Sequence, residues 1–243
     1  MFFEMDFSHF SFLDEAKNDW QAAVNLYNSG LYSQAVYFLQ QSVEKSSKFW
    51  GLSLRFVSYD DLKKLGHNPH KVFKKLFGEA VLLGMGNKEG FELLESNVNR
   101  LPSVDERVHR IGSKLKAELN FNYIKIKEGQ TAMDALRDCF MEAENLDIVG
   151  YLEGLRGKPE WEKKCIGMVN KINKESRYIT LQMGLSFLVW GLESNSRYPD
   201  YNEGTVPSDL YSKDTELVKA LPFFTEVQGV CIDILDEVCR LRE

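Results

Sequence analysis

The clearest pattern of apolar positions runs over residues 30–50, where Leu31, Ala35, Phe38, Leu39, Ser42, Val43, Ser46 and Phe49 return at helical spacing. Tyr32, Val36 and Trp50 widen this stripe beyond that of a surface helix, so the pattern predicts a helix near the centre of a bundle. The opposite side carries Gln34, Gln41, Lys45 and Lys48 as a polar ridge. Glu44 sits four residues before Lys48, the better orientation for a helical ion pair. A first helix is predicted over residues 14–29, with Ala16, Trp20, Ala23, Val24 and Tyr27 on one face and Asp14, Glu15 and Asp19 near its positive end. Gly30 can take the left-handed conformation that closes a helix, and Leu31 resumes the period at once. The two helices are therefore expected to form a tight antiparallel hairpin.

Beyond Gly51 the pattern loosens into a polar link over residues 52–65. Asn68 and Pro69 then suit the cap and first position of a new helix, leaving His67 just outside its N-terminus among Lys63, Lys64, Lys71, Lys74 and Lys75. A helix start with lysines around it can hold a phosphate. Ser103 with Glu106 predicts a capped helix to about Leu119, and Thr131 with Asp134 opens another. In between, Phe121, Tyr123, Ile124 and Ile126 partly alternate with Asn122, Lys125 and Lys127; a lone strand would have nothing to pair with, so the stretch reads as a loop or helix end. Residues 160–192 predict one long helix or two joined ones. The final helical pattern starts after Ser212 and Asp214, meets Pro222, and carries Val227, Val230, Cys231, Ile234 and Val238 down one face.

Composition narrows the class. The 243 residues are 44% hydrophobic, ample for a core without staples. Cys139, Cys165, Cys231 and Cys239 form no Cys-x-x-Cys, so neither a zinc site nor a disulfide framework is written, and a cytoplasmic setting is the expectation. The net charge is −6, with 5 basic against 11 acidic residues after position 190. That balance excludes a uniformly basic nucleic-acid footprint while leaving room for a local patch. The start of the chain is aromatic and acidic, unlike a secretory signal, and the most apolar run, residues 178–192, is too short to span a bilayer. No cofactor is expected: there is no Gly-rich phosphate loop, no Gly-x-Ser-x-Gly elbow and no His-Glu-x-x-His.

Residues 20–50, with Trp20, Tyr27, Gly30, Tyr32, Ala35, Gln41, Glu44, Lys45 and Lys48, resemble the first helix pair of the HEPN domain family. Gly66-His67-Asn68 resembles the family's Gly/Thr-His-Asp/Asn step. Ser196-Arg197-Tyr198-Pro199-Asp200 resembles its Arg-Tyr-Pro turn before the last helix. The resemblance implies an all-α protein: an antiparallel helical bundle of residues 10–77 plus 191–243, with residues 78–190 as a helical insertion packed on it. It further implies nucleotide or RNA binding, a homodimer, and a small nucleotidyltransferase as partner in a toxin–antitoxin-like pair. Catalytic members are ribonucleases with an Arg followed four to six residues later by a His on a core helix, and Arg100 and Arg107 stand at other separations from His109. Here Arg55 lies twelve residues before His67, so the expectation leans to a non-catalytic protein.

The expected ligand contacts are Lys45, Lys48, His67, Lys71, Arg197 and Tyr198, with no catalytic or metal residues. Lys45 and Lys48 would offer charge along the ridge, His67 and Lys71 would stand at a helix start, and Arg197 could fork onto phosphate while Tyr198 stacks on a base. Two rivals remain open. One is a helical protein-interaction scaffold, since residues 27–44 also read like a tetratricopeptide helix pair without the repetition such arrays need. The other is a ribonuclease with a degenerate site.

Overall fold

The computed structural model describes residues 8–67, 69–82, 103–142, 145–192 and 206–240. Their regular secondary structure is all helix, with no strand among the described residues. The helices are α1 (Ser8–Asn28), α2 (Tyr32–Ser53), α3 (Tyr59–Leu65), α4 (Pro69–Leu82), α5 (Val104–Glu118), α6 (Ala132–Glu142), α7 (Leu146–Gly154), α8 (Pro159–Leu188), α9 (Pro207–Leu210) and α10 (Glu216–Arg240). No described helix is long and apolar enough to cross a membrane.

The α1–α2 hairpin is the most intimate pairing. Gly30 makes the turn with φ +75°, a conformation that a side chain would strain, and the Leu31 amide returns to the Leu26 carbonyl at 2.9 Å. α10 lies against both helices of the hairpin, where the Trp20 indole donates to the Thr225 carbonyl at 2.8 Å. α8 packs on α2, α5 and α10, so Leu39, Val43, Leu181, Leu185, Leu221 and Phe224 share one buried cluster. Trp50 and Tyr178 meet inside it with ring centroids 4.7 Å apart. A second cluster gathers Ile124, Leu136, Leu152, Cys165 and Val169 between α6, α7 and the first half of α8.

The polar positions on the α2 stripe are buried because they bond to each other across helices. Ser46 Oγ accepts from Gln182 Nε2 at 2.6 Å and from Gln228 Nε2 at 3.0 Å, joining α2, α8 and α10. Ser42 Oγ donates to the Ala16 carbonyl at 2.7 Å, and Tyr178 donates to the Ser46 carbonyl at 3.0 Å. A buried network of this kind fixes the register of the helices that share it.

Several details differ from the sequence expectation. The polar link after Gly51 holds a short helix, α3, closed by a reciprocal capping box between Ser58 and Asp61. The helical pattern after Thr131 is cut in two because Asn145 caps a new helix, accepting from the Ile148 amide at 3.4 Å. α10 continues through Pro222 as one helix and does not restart there. Residues 120–131 form a loop, as the isolation of their alternating pattern predicts. Burial pushes the Cys231 thiol well above its ordinary range, in keeping with a packed rather than reactive group.

Candidate functional site

The arrangement starts at Gly51. A Cβ there would stand 2.8 Å from Val57 Cγ2 and 3.0 Å from Val72 Cγ1, so its absence lets the α3–α4 segment close onto α2. Val57, Leu65 and Val72 fill that contact as a small buried cluster. The Lys75 ammonium lies 2.5 Å from Asp61 Oδ2 and ties α4 to α3. That bond, with those from Ser58, holds the Asp61 carboxyl far below the usual carboxylate range.

This closure covers Glu44, whose side chain is only 4% exposed. Its Oε1 lies 2.5 Å from Lys48 Nζ and its Oε2 lies 3.2 Å from His67 Nδ1. One buried carboxylate thus gathers a lysine from α2 and the histidine that precedes α4. The sequence predicts the Glu44–Lys48 pair, but as a solvated one. Its burial comes from α4 folding over it.

Lys45 turns the other way. Its ammonium lies 2.8 Å from Asp19 Oδ2 and 3.0 Å from Glu15 Oε2, both on α1. Partial burial pulls the lysine down, but the bonds from Asp19 and Glu15 outweigh it and leave its proton held above the ordinary lysine range. Burial pushes the Asp19 carboxyl up while Lys45 opposes it. Two carboxylates on one ammonium leave no positive charge to offer.

One turn into α4, Lys71 is exposed and has no carboxylate within ion-pair distance among the described residues. Its neighbour His70 is 5% exposed and stacks on Trp190 with centroids 3.8 Å apart and rings 29° from parallel. Burial, reinforced by Lys71 and Lys74, lowers the His70 imidazole to about 4, so it is neutral at pH 7. Lys48 and His67 therefore meet on Glu44 just before α4, Lys71 lies exposed in the first turn of α4, and Lys45 stands apart on the α1 side. Arg197 and Tyr198 lie outside the described residues.

Two features escape sequence reasoning. Arg107 is buried on α5, and its Nη1 donates to the carbonyls of Phe187 at 3.1 Å, Leu188 at 3.0 Å and Trp190 at 2.7 Å. It caps the α8 C-terminus, and its burial follows from a turn eighty residues away that no local pattern announces. His70 could be placed on a helix start from sequence, but its aromatic cover on α8 could not.

The fold defines an all-helical bundle with a small inward-facing charge cluster. Comparison of the chain with family models, with curated proteins and with solved structures finds no match in any of the three.

Proposed function

We propose that the protein is a non-catalytic, HEPN-like nucleotide- or RNA-binding module whose phosphate contacts lie at the start of α4. The observation that carries the reading is the meeting of Lys48 and His67 on the buried Glu44 carboxylate, with Lys71 exposed one turn further on. The first turn of α4 adds backbone amides without intrahelical partners, the usual setting for an anion. Glu44 fixes the Lys48 and His67 side chains beside the helix start. Lys45 is spoken for by Glu15 and Asp19, so it contributes to the pairing of α1 with α2 and not to ligand. No histidine of the sequence follows an arginine by four to six residues, the spacing of the family's ribonucleases, which supports binding without cleavage. The same resemblance makes a second copy of the chain, or a small nucleotidyltransferase, the partner to look for.

Titration calorimetry with AMP, ATP and a short RNA tests the reading. Binding that weakens at least several-fold with Lys71→Ala, and stays unchanged with Lys45→Ala, supports it. If no nucleotide or RNA binds, the reading fails and a protein-interaction scaffold takes its place. In that case the exposed Met141, Leu146 and Tyr151 around α6 and α7 are the surface to examine.

A further inference from the structure

The loop of residues 120–131 is fastened to α8 at successive turns. Ile124 donates its amide to Asn173 Oδ1 at 2.7 Å and accepts from Asn173 Nδ2 at 2.9 Å, so one side-chain amide satisfies both backbone groups of that residue. One turn on, Arg177 Nη2 donates to the Phe121 carbonyl and to Asn122 Oδ1, each at 3.1 Å. Further along, Thr180 Oγ1 lies 2.5 Å from the Tyr123 hydroxyl, which also donates to Glu118 Oε2 at 2.9 Å. Only Ile124 of the loop's large apolar side chains is buried.

The other rings face outward. Phe121 is 43% exposed and Tyr123 38%, held edge to face with centroids 5.0 Å apart. Lys125 Nζ sits 5.6 Å from the Phe121 ring centre. Lys127 follows on the loop, and Arg110 and Lys114 stand on the same flank of α5 as Glu118, at four-residue spacing. All four cations are exposed, and none has a carboxylate within ion-pair distance among the described residues. In a chain of net charge −6, positive potential thus survives beside exposed rings on a pre-set backbone.

We propose that this surface binds single-stranded polynucleotide, with bases stacked on Phe121 and Tyr123 and phosphates held by Lys125, Lys127, Lys114 and Arg110. Aromatic rings that stand out among cations suit unpaired bases, because a duplex keeps its base faces inside the stack. An apolar protein partner fits less well, since charged groups are depleted in the centres of such interfaces. The fastening to α8 means that little order has to be gained on binding. The inference shares its ligand class with the function proposed above but stands on a different surface. Arg177 is about 15 Å along α8 from Phe187, the residue beside His70.

Fluorescence anisotropy of the full chain with a labelled oligouridylate, the matching oligodeoxythymidylate and an RNA duplex tests it. The single strands should bind more tightly than the duplex, and a tighter RNA complex than DNA would assign RNA as the source. Phe121→Ala with Tyr123→Ala should weaken binding roughly tenfold or more. Lys125→Ala with Lys127→Ala should flatten the salt dependence by about 1.4 units of log–log slope. Phe121→Leu, which keeps apolar bulk without a stacking face, guards against loss through misfolding and should also weaken binding. Oligonucleotide binding that survives the paired ring substitution within twofold, or equals that of the duplex, overturns the inference. If Lys71→Ala then abolishes it, the α4 reading stands alone. Loss through the loop variants with Lys71→Ala unchanged supports the loop and removes the α4 site. No binding of any polynucleotide overturns the loop proposal, while the calorimetric titration with mononucleotides still decides α4.

Discussion

Arg107 Nη1 closes the end of α8 by donating to the Trp190 carbonyl at 2.7 Å. The same nitrogen serves Phe187 and Leu188, so three carbonyls that the helix cannot satisfy itself meet one guanidinium. The group is buried without a carboxylate partner among the described residues, and desolvation lowers its proton affinity while Tyr211 opposes. We expect Arg107→Met to destabilise the fold by roughly 2–3 kcal/mol, the cost of leaving buried carbonyls unpaired. Arg107→Lys should recover part of that loss. Urea unfolding checks both, and a methionine variant as stable as the parent would show that water replaces the guanidinium.

Ser46 is the shared acceptor of two buried amides, Gln182 Nε2 and Gln228 Nε2. Ser46→Ala removes one acceptor from each amide, while Gln182 Nε2 keeps the Val43 carbonyl at 2.8 Å and Gln228 Nε2 keeps Ser42 Oγ at 3.0 Å, so we expect a loss of roughly 1 kcal/mol. Replacing Gln182 and Gln228 by Leu together with Ser46→Ala should cost less per group, because no polar atom is then stranded. A triple variant that unfolds at lower urea than the sum of the single losses would contradict this.

Gly51→Ala brings a methyl to within 2.8 Å of Val57 and 3.0 Å of Val72, two stiff β-branched side chains. Better helix propensity favours alanine by about 1 kcal/mol, while overpacking opposes it by about 1–3 kcal/mol, so the net effect should be destabilising. The specific readout is α4: hydrogen exchange should quicken over residues 69–75 more than in α1. Uniform exchange across both helices would mean that the contact at Gly51 does not hold α4 down.

How much of this was written locally is clear from α2. Its apolar stripe, its hairpin with α1 and the Glu44–Lys48 spacing are all readable because they depend on 3.6-residue periodicity and one glycine turn. The polarity of Lys45 and Lys48 is equally readable, but not their fate. Whether a lysine faces solvent or two carboxylates depends on where Glu15 and Asp19 of another helix come to rest. α3 was illegible as a helix because its seven residues show too few turns for a period to register, although Ser58 and Asp61 have the capping-box spacing. Likewise the alternation over residues 121–127 is visible in sequence, while its fastening to Asn173, Arg177 and Thr180 is a tertiary fact.

The buried His70 makes stability depend on pH in a definite direction. Its folded value of about 4 lies below the unfolded value near 6.5, so in that interval the unfolded chain takes up a proton that the folded chain refuses. Stability is therefore complete above about 6.5, falls as pH drops toward 4, and levels off below that for this group. The contribution is about 3 kcal/mol at most. His70→Phe preserves a ring against Trp190 and removes the titration, so its unfolding midpoint should lose less than the parent's between pH 7 and pH 4.5. Parallel losses in the two proteins would place the acid sensitivity elsewhere.

Glu44→Gln separates the structural and electrostatic parts of the α4 cluster. The amide keeps the size of the side chain and can still accept from Lys48, but it removes the negative charge that now lies 2.5 Å from that ammonium and 3.2 Å from His67 Nδ1. If phosphate binds at the start of α4, the local potential becomes more positive and affinity for an anionic nucleotide should rise several-fold. The salt dependence should also steepen, since each added phosphate contact to a single strand contributes about 0.7 to the slope. Stability should fall at the same time, because Lys48 loses its charged partner in a setting where its side chain is only 12% exposed. The two effects have opposite signs, so a destabilised variant that binds nucleotide more tightly can arise only from electrostatics at the site. A variant that is destabilised and binds more weakly would show that Glu44 itself contacts the ligand or shapes its pocket, and one with unchanged affinity would move the phosphate away from α4.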